Sequence, residues 1–219
     1  QDKMTMDPTS MMTGLTFKSN NNIANEIAII QSFTMKERVL NELDFFNVSY
    51  FNTGNISTTE LYKRTPFYVE LDYDTLQTVG IKYVISFIDN ESFSLKTAER
   101  DCSVYDYSTN HNVGYVHIPE SENVYRLGEW IDNGYNRFRI VLNNNYDPDT
   151  YKNSKLSFVI NSKLALAGQM SGLSISQISK ESSIIRLTLQ GHEPQKITDY
   201  LNKLLEEYLE RNLEQKNLV

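Results

Sequence analysis

The stretch that decides the fold is the last one, residues 182–219: SSIIRLTLQGHEPQKITDYLNKLLEEYLERNLEQKNLV. Ile185, Leu187 and Leu189 alternate with Arg186, Thr188 and Gln190, which predicts a half-buried strand over 182–190. Gly191 and Pro194 break it. Beyond Pro194 the period lengthens to that of a helix. Ile197, Leu201, Leu204, Tyr208 and Leu213 fall on one side, and Glu206, Glu207, Glu210, Arg211 and Lys216 fill much of the rest. Glu207 and Arg211 stand four apart, the spacing of an ion pair worth about 0.2–0.5 kcal/mol on an exposed helix. No Gly or Pro closes the pattern before Val219, so the helix is expected to be cut from a longer chain.

A chain of 219 residues with 40% hydrophobic and 22% charged residues can bury a core and fits one or two globular domains. A net charge of −7 argues against a nucleic-acid binder, whose footprint is basic. There is no polybasic run for anionic lipid and no apolar run long enough to span a bilayer. Gln1 opens a polar stretch rather than a signal peptide. One cysteine, Cys102, makes no internal disulfide, and Arg100 and Asp101 beside it do not mark it as an activated thiolate.

Working back from the tail, Leu156, Phe158 and Ile160 predict a strand over 155–161, Leu164–Ala167 a short helix, and 173–176 another short strand. The middle reads as strands at 81–89, 92–97, 113–118, 125–131 and 136–143, separated by polar turns such as Asn133-Gly134. Phe67, Val69 and Leu71 alternate with Tyr68, Glu70 and Asp72 in a half-buried strand. Towards the start, Ile23, Ile27 and Ile30 form a helix face. Residues 32–34 interrupt it, and Thr34 with Glu37 has the pattern of a capping box opening a second helix on Val39, Leu40 and Leu43. The expected class is α+β: an α/β domain built from both termini, residues 1–72 and 156–219, with a β-rich insertion over 73–155.

The residues offer little chemistry. His111, His117 and His192 lack metal-ligand spacing. There is no G-x-S-x-G, no phosphate-binding loop and no dinucleotide fingerprint. Glu120 with Glu122, or Asp147 with Asp149, would need a cleft to act as an acid–base pair, and Asp147-Pro148-Asp149 is better read as a turn. Asn47, Asn55 and Asn90 open N-x-S triplets. Trp130 sits in an alternating stretch and is expected in the core. Many of the fourteen tyrosines are expected on strand edges. No catalytic residue, cofactor or metal is expected.

Several separated motifs resemble the periplasmic domain of the polysaccharide co-polymerase, or chain-length determinant, family. At the tail these are Ser182-Ser183-Ile184-Ile185, Glu193-Pro194, Tyr200-Leu201-Asn202, Tyr208, Asn212 and Lys216-Asn217. Near the start they are Asp7-Pro8, Asn25-Glu26-Ile27, and Glu37-Arg38-Val39-Leu40 leading to Glu42-Leu43. Glu60-Leu61-Tyr62 and Pro66-Phe67 are similar to the branch associated with tyrosine autokinases. The resemblance implies a membrane-proximal α/β domain of a bacterial inner-membrane protein, exposed to the periplasm and held by flanking membrane helices. It also implies a homo-oligomer that regulates the length and export of capsular or exopolysaccharide. Its partners would be the polymerase, an outer-membrane export channel and the polysaccharide itself, with no nucleic acid. A cytoplasmic tyrosine kinase would lie outside these residues. The β-rich middle departs from the family's long helical arm. The alternative reading from the residues is a surface carbohydrate-binding or adhesin-like β module.

Overall fold

The computed structural model describes residues 20–54, 56–144, 151, 154–179 and 184–217. Asp7, Pro8 and Ser182 lie outside them, as do Asn55, Asp147 and Asp149. The chain is α+β. Helix α1, Asn20–Gln31, stops at Ser32, whose backbone is extended (φ −61°, ψ 151°). The Ser32 hydroxyl accepts from Met35 N at 3.2 Å and donates to Ile29 O at 2.7 Å. It thereby caps α2, Phe33–Asn41. The cap is therefore Ser32 and not the Thr34 expected from the capping-box pattern: the chain has already turned helical by Phe33. Helix α3 is Lys163–Gln169, capped by Ser162, and α4 is Pro194–Asn217.

The described residues form fourteen strands, in chain order β1 Val48–Thr53, β2 Thr58–Glu60, β3 Phe67–Leu71, β4 Gln77–Val79, β5 Lys82–Phe87, β6 Ser92–Thr97, β7 Arg100–Asp106, β8 His111–Ile118, β9 Ser121–Arg126, β10 Ile131–Asp132, β11 Arg137–Leu142, β12 Lys155–Ile160, β13 Ser174–Gln177 and β14 Ile185–Thr188. Six of them form one antiparallel sheet in the order β2-β1-β12-β5-β6-β9. Two three-stranded sheets, β10-β11-β3 and β4-β7-β8, and the β13-β14 ribbon complete the fold. The large sheet takes β1, β2 and β12 from the terminal segments and β5, β6 and β9 from the middle, so hydrogen bonding runs straight across the division expected at residue 73.

Two strands escape the alternation rule. β4 buries Gln77 and Thr78 completely, and β7 is polar at most positions. The burial is satisfied by Asn136, whose amide nitrogen donates to Gln77 Oε1 at 3.1 Å and to Thr78 O at 3.0 Å, while its oxygen accepts from Tyr83. Polar groups can occupy a core once paired, and hydropathy patterns do not register the pairing. The strand expected over 125–131 is two pieces. Gly128 turns the chain at φ +76° and donates its N–H to Ile140 O at 2.8 Å, and β10 begins after it.

The main core lies between the six-stranded sheet and β3-β11. Tyr83 stacks on Phe158 at 4.9 Å, and Phe138 and Phe67 approach Phe158 edge-on at 5.7 and 6.1 Å. A second core joins α1, α2, α3 and α4 around Leu40, Phe46, Leu166, Tyr200 and Leu204. Phe45 packs against both. Many tyrosines are interior and not at strand edges. Tyr50, Tyr62, Tyr83, Tyr105, Tyr107, Tyr200 and Tyr208 are all buried. Most of their hydroxyls are paired, as Tyr50 is by Val69 N at 3.0 Å. A phenol fills a core well once its hydroxyl has a partner.

Phe158 is fully buried among three rings. Phe158→Ala is expected to cost about 3–5 kcal/mol, read as a fall in the urea midpoint with the slope unchanged.

Candidate functional site

Helix α4 buries Leu204 and Tyr208 of the stripe expected of it and half-buries Ile197 and Leu201. Leu213 is 60% exposed, and the inward residues are Lys196, Tyr200, Leu204, Glu207 and Tyr208, with Glu193 buried just before the helix begins. Three of these are charged, and each meets a partner from an element remote in sequence. Lys196 Nζ donates to Glu60 at 2.5 Å, Arg64 to Glu193 at 2.6 Å, and Arg38 Nε to Glu207 at 2.6 Å. The Glu207–Arg211 pair expected from spacing is replaced by the last of these. Arg38 also reaches Glu214 at 3.1 Å, and those carboxylates push its guanidinium pKa up while its charge holds the Glu214 carboxyl down.

Of the motif positions quoted above, Glu26, Glu60, Tyr62 and Tyr208 lie on this seam. Glu26 accepts the Tyr208 hydroxyl at 2.7 Å. Burial, then that carboxylate, push the Tyr208 phenol up to about 12. Tyr62 takes a left-handed backbone (φ 48°), uncommon for a bulky residue. Its ring is held edge-on by Phe45 and Phe46, and its hydroxyl donates to Asp199 at 2.7 Å. Pro66 and Phe67 are buried, Pro194 opens α4, and Asn25 and Asn202 are exposed. Glu26, Tyr62 and Tyr208 thus tie elements of the helical layer together, Phe67 packs in the sheet core, and Asn25 and Asn202 face outward.

Two clefts open beside the seam. One, about 560 Å³, lies between β1 and β3 and is walled by Phe45, Tyr50, Tyr68 and Tyr73, with Asp44, Lys63 and Glu70 among its lining groups. Glu70 carries the cleft outward: it binds Arg139 at 2.6 Å, and Arg139 lies over the Trp130 ring at 5.0 Å. Trp130 is thus not core. It is 43% exposed, because the Gly128 turn carries it past the end of β9. Sequence reasoning placed Tyr68 and Glu70 on one face but had no signal for Phe45 and Tyr73 coming alongside from other segments.

The second cleft, about 610 Å³, lies between the helices and β7-β8 and is lined by Glu37, Tyr105, His111 and Lys163. Burial pulls the Lys163 ammonium pKa down, and its amine donates to Leu40 O at the end of α2. Elsewhere the pairs considered from sequence have ordinary roles. Glu120 and Glu122 both flank Lys96, at 3.5 and 3.8 Å. Asn47 is 1% exposed, too buried to accept a glycan. Burial pushes the Cys102 thiol up, away from thiolate chemistry. Among the described residues no group of three or more His, Cys, Asp or Glu is placed to hold a metal, and no helix is long and apolar enough to cross a membrane.

His117 lies between Asp101 at 2.9 Å and Glu99 at 3.2 Å, and the hydrogen bond to Asp101 raises its pKa. Its contribution to stability is complete below the ordinary histidine pKa and is lost as pH rises through the raised value. NMR titration is expected to show His117 titrating above the ordinary histidine range, and Asp101→Asn to return it there. At the seam, Glu60→Gln leaves the buried Lys196 ammonium without a counter-charge and is expected to cost about 2–4 kcal/mol in chemical unfolding, with Lys196→Met, an apolar chain of similar length, costing less. No protein-family model matches this chain, and no curated protein matches it.

Proposed function

We propose that this chain is a non-catalytic periplasmic domain of a bacterial inner-membrane polysaccharide co-polymerase, of the branch that carries a cytoplasmic tyrosine autokinase. In this reading residues 1–72 and 156–219 supply the membrane-proximal α/β layer, and 73–155 is a β-rich insertion whose β5, β6 and β9 extend the same sheet. The domain acts by shape and self-association, working with the polymerase and the outer-membrane channel to set polymer length and export. One observation carries the reading beyond the resemblance of its motifs. The first and last helices are joined, Glu26 to Tyr208 at 2.7 Å, with Arg38 of α2 clamped on Glu207 and Glu214. A domain suspended between two membrane segments must lead both ends of its chain out of one layer, and this seam supplies such a layer.

The test is to replace residues 20–217 by a flexible linker in the full-length protein in its native bacterium and to size the surface polysaccharide on gels. Altered chain length or lost export is expected; an unchanged polymer overturns the reading. The second reading, a surface carbohydrate-binding β module, is favoured by the exposed Trp130 and by the aromatic cleft between β1 and β3. It would place the protein in the outer-surface fraction and not with the inner membrane.

A further inference from the structure

We infer that the cleft between β1 and β3 binds a short stretch of neutral glycan, with Trp130 as an outer stacking platform. The inference goes beyond the scaffold role proposed above, since it is drawn from the chemistry of the cleft and would hold in either reading of the whole protein.

The volume, about 560 Å³, is within the range of small-ligand sites. Its walls are aromatic. Tyr73 is 39% exposed, and Tyr68 and Phe45 meet edge-on at 5.7 Å. Such rings offer flat apolar faces to a ligand that is flat and rich in C–H on one side. The polar groups then narrow the class. Lys63 is already bound to Asp199 at 2.6 Å and Arg139 to Glu70 at 2.6 Å, so neither cation is free to recruit an anion. A phosphate or uronate would also face Asp44 and Glu70. A purely apolar ligand would take those carboxylates out of water without a partner.

Inside the cleft wall, the Asn47 amide nitrogen donates to the Tyr73 hydroxyl at 3.0 Å and lies 3.4 Å from Asp44 Oδ1. The Tyr73 hydroxyl accepts from Asn47, which leaves its own proton for another acceptor. With Asp44 and Glu70 as acceptors and the Tyr73 hydroxyl as a donor, the cleft presents both kinds of polar group along an aromatic wall. A pyranose satisfies both: one face of C–H groups packs on a ring while its hydroxyls each donate and accept. Beyond the cleft, Glu70 binds Arg139, and Arg139 and Arg137 lie over the Trp130 ring at 5.0 and 5.5 Å; the part of that ring left exposed would take a further sugar, so a chain of linked rings fits better than a single sugar.

The experiment titrates the isotope-labelled chain with neutral tetrasaccharides of β-linked glucose, N-acetylglucosamine and mannose. It is followed by amide NMR and by emission from Trp130, the single tryptophan. At least one tetrasaccharide is expected to shift the amides of Phe45, Tyr68 and Tyr73 and to change the Trp130 emission. Tyr68→Ala is expected to weaken binding about fivefold, the loss of one aromatic contact. Tyr73→Phe, which keeps the ring and removes the hydroxyl, is expected to weaken it less, and both variants are first shown to unfold at near wild-type denaturant. No shift at millimolar sugar overturns the inference. So does tighter binding of a polyuronate, or a lysine-rich peptide that shifts these amides when no sugar does. The co-polymerase reading would survive each of those results, because it is decided by polymer length in cells.

Discussion

Lys196 is about 5% exposed, and its ammonium lies against a β-sheet edge. A charge in that position must be met, and Glu60, on the neighbouring edge strand β2, meets it at 2.5 Å. Much else follows from this contact. It fixes the rotation of α4, so that Tyr200, Leu204 and Tyr208 turn inward and Leu213 outward. It brings Glu193 to Arg64 and Asp199 to Tyr62 along the same line. Such pairs contribute little net stability compared with apolar side chains of the same volume, because desolvation offsets most of the attraction. What they supply here is register: two ion pairs and one hydrogen bond agree on one rotation of one helix.

The seam also explains how two cores coexist. The aromatic core around Phe158 is a sheet-to-sheet interior, and the helical core around Leu40 and Leu204 is a layer laid against one edge of it. Phe45 and Tyr62 sit where the two meet. Tyr62 keeps an unfavourable backbone angle there because its ring and hydroxyl are held from both sides. The cleft walled by Phe45, Tyr68 and Tyr73 opens at this junction. Aromatic groups from three segments are left half-covered there, since neither core extends far enough to close over them.

The same contrast separates the buried charges from the surface ones. Arg38 joins a set of carboxylates on α4, and His117 sits between Glu99 and Asp101 on open strands. The first ties two helices together and is shielded on the Glu207 side. The second is wholly solvent-facing, where screening leaves a local shift of titration and little else.

The periodicities in the chain determined the kinds of element present. Alternation at Phe67, Val69 and Leu71 and at Leu156, Phe158 and Ile160 marked strands that the fold contains, and the period after Pro194 marked α4. Such signals are local, because a strand or helix shows one repeating face to whatever covers it. Only the tertiary structure decided which face of α4 turns inward, that β4 and β7 are strands at all, that Trp130 lies outside, and that Phe45 and Tyr73 come together with Tyr68. Each of these depends on a partner far along the chain: Glu60 for Lys196, Asn136 for Gln77 and Thr78, Arg139 for Trp130. A polar residue looks the same in sequence whether water or a distant side chain satisfies it, and burial is settled by that second party.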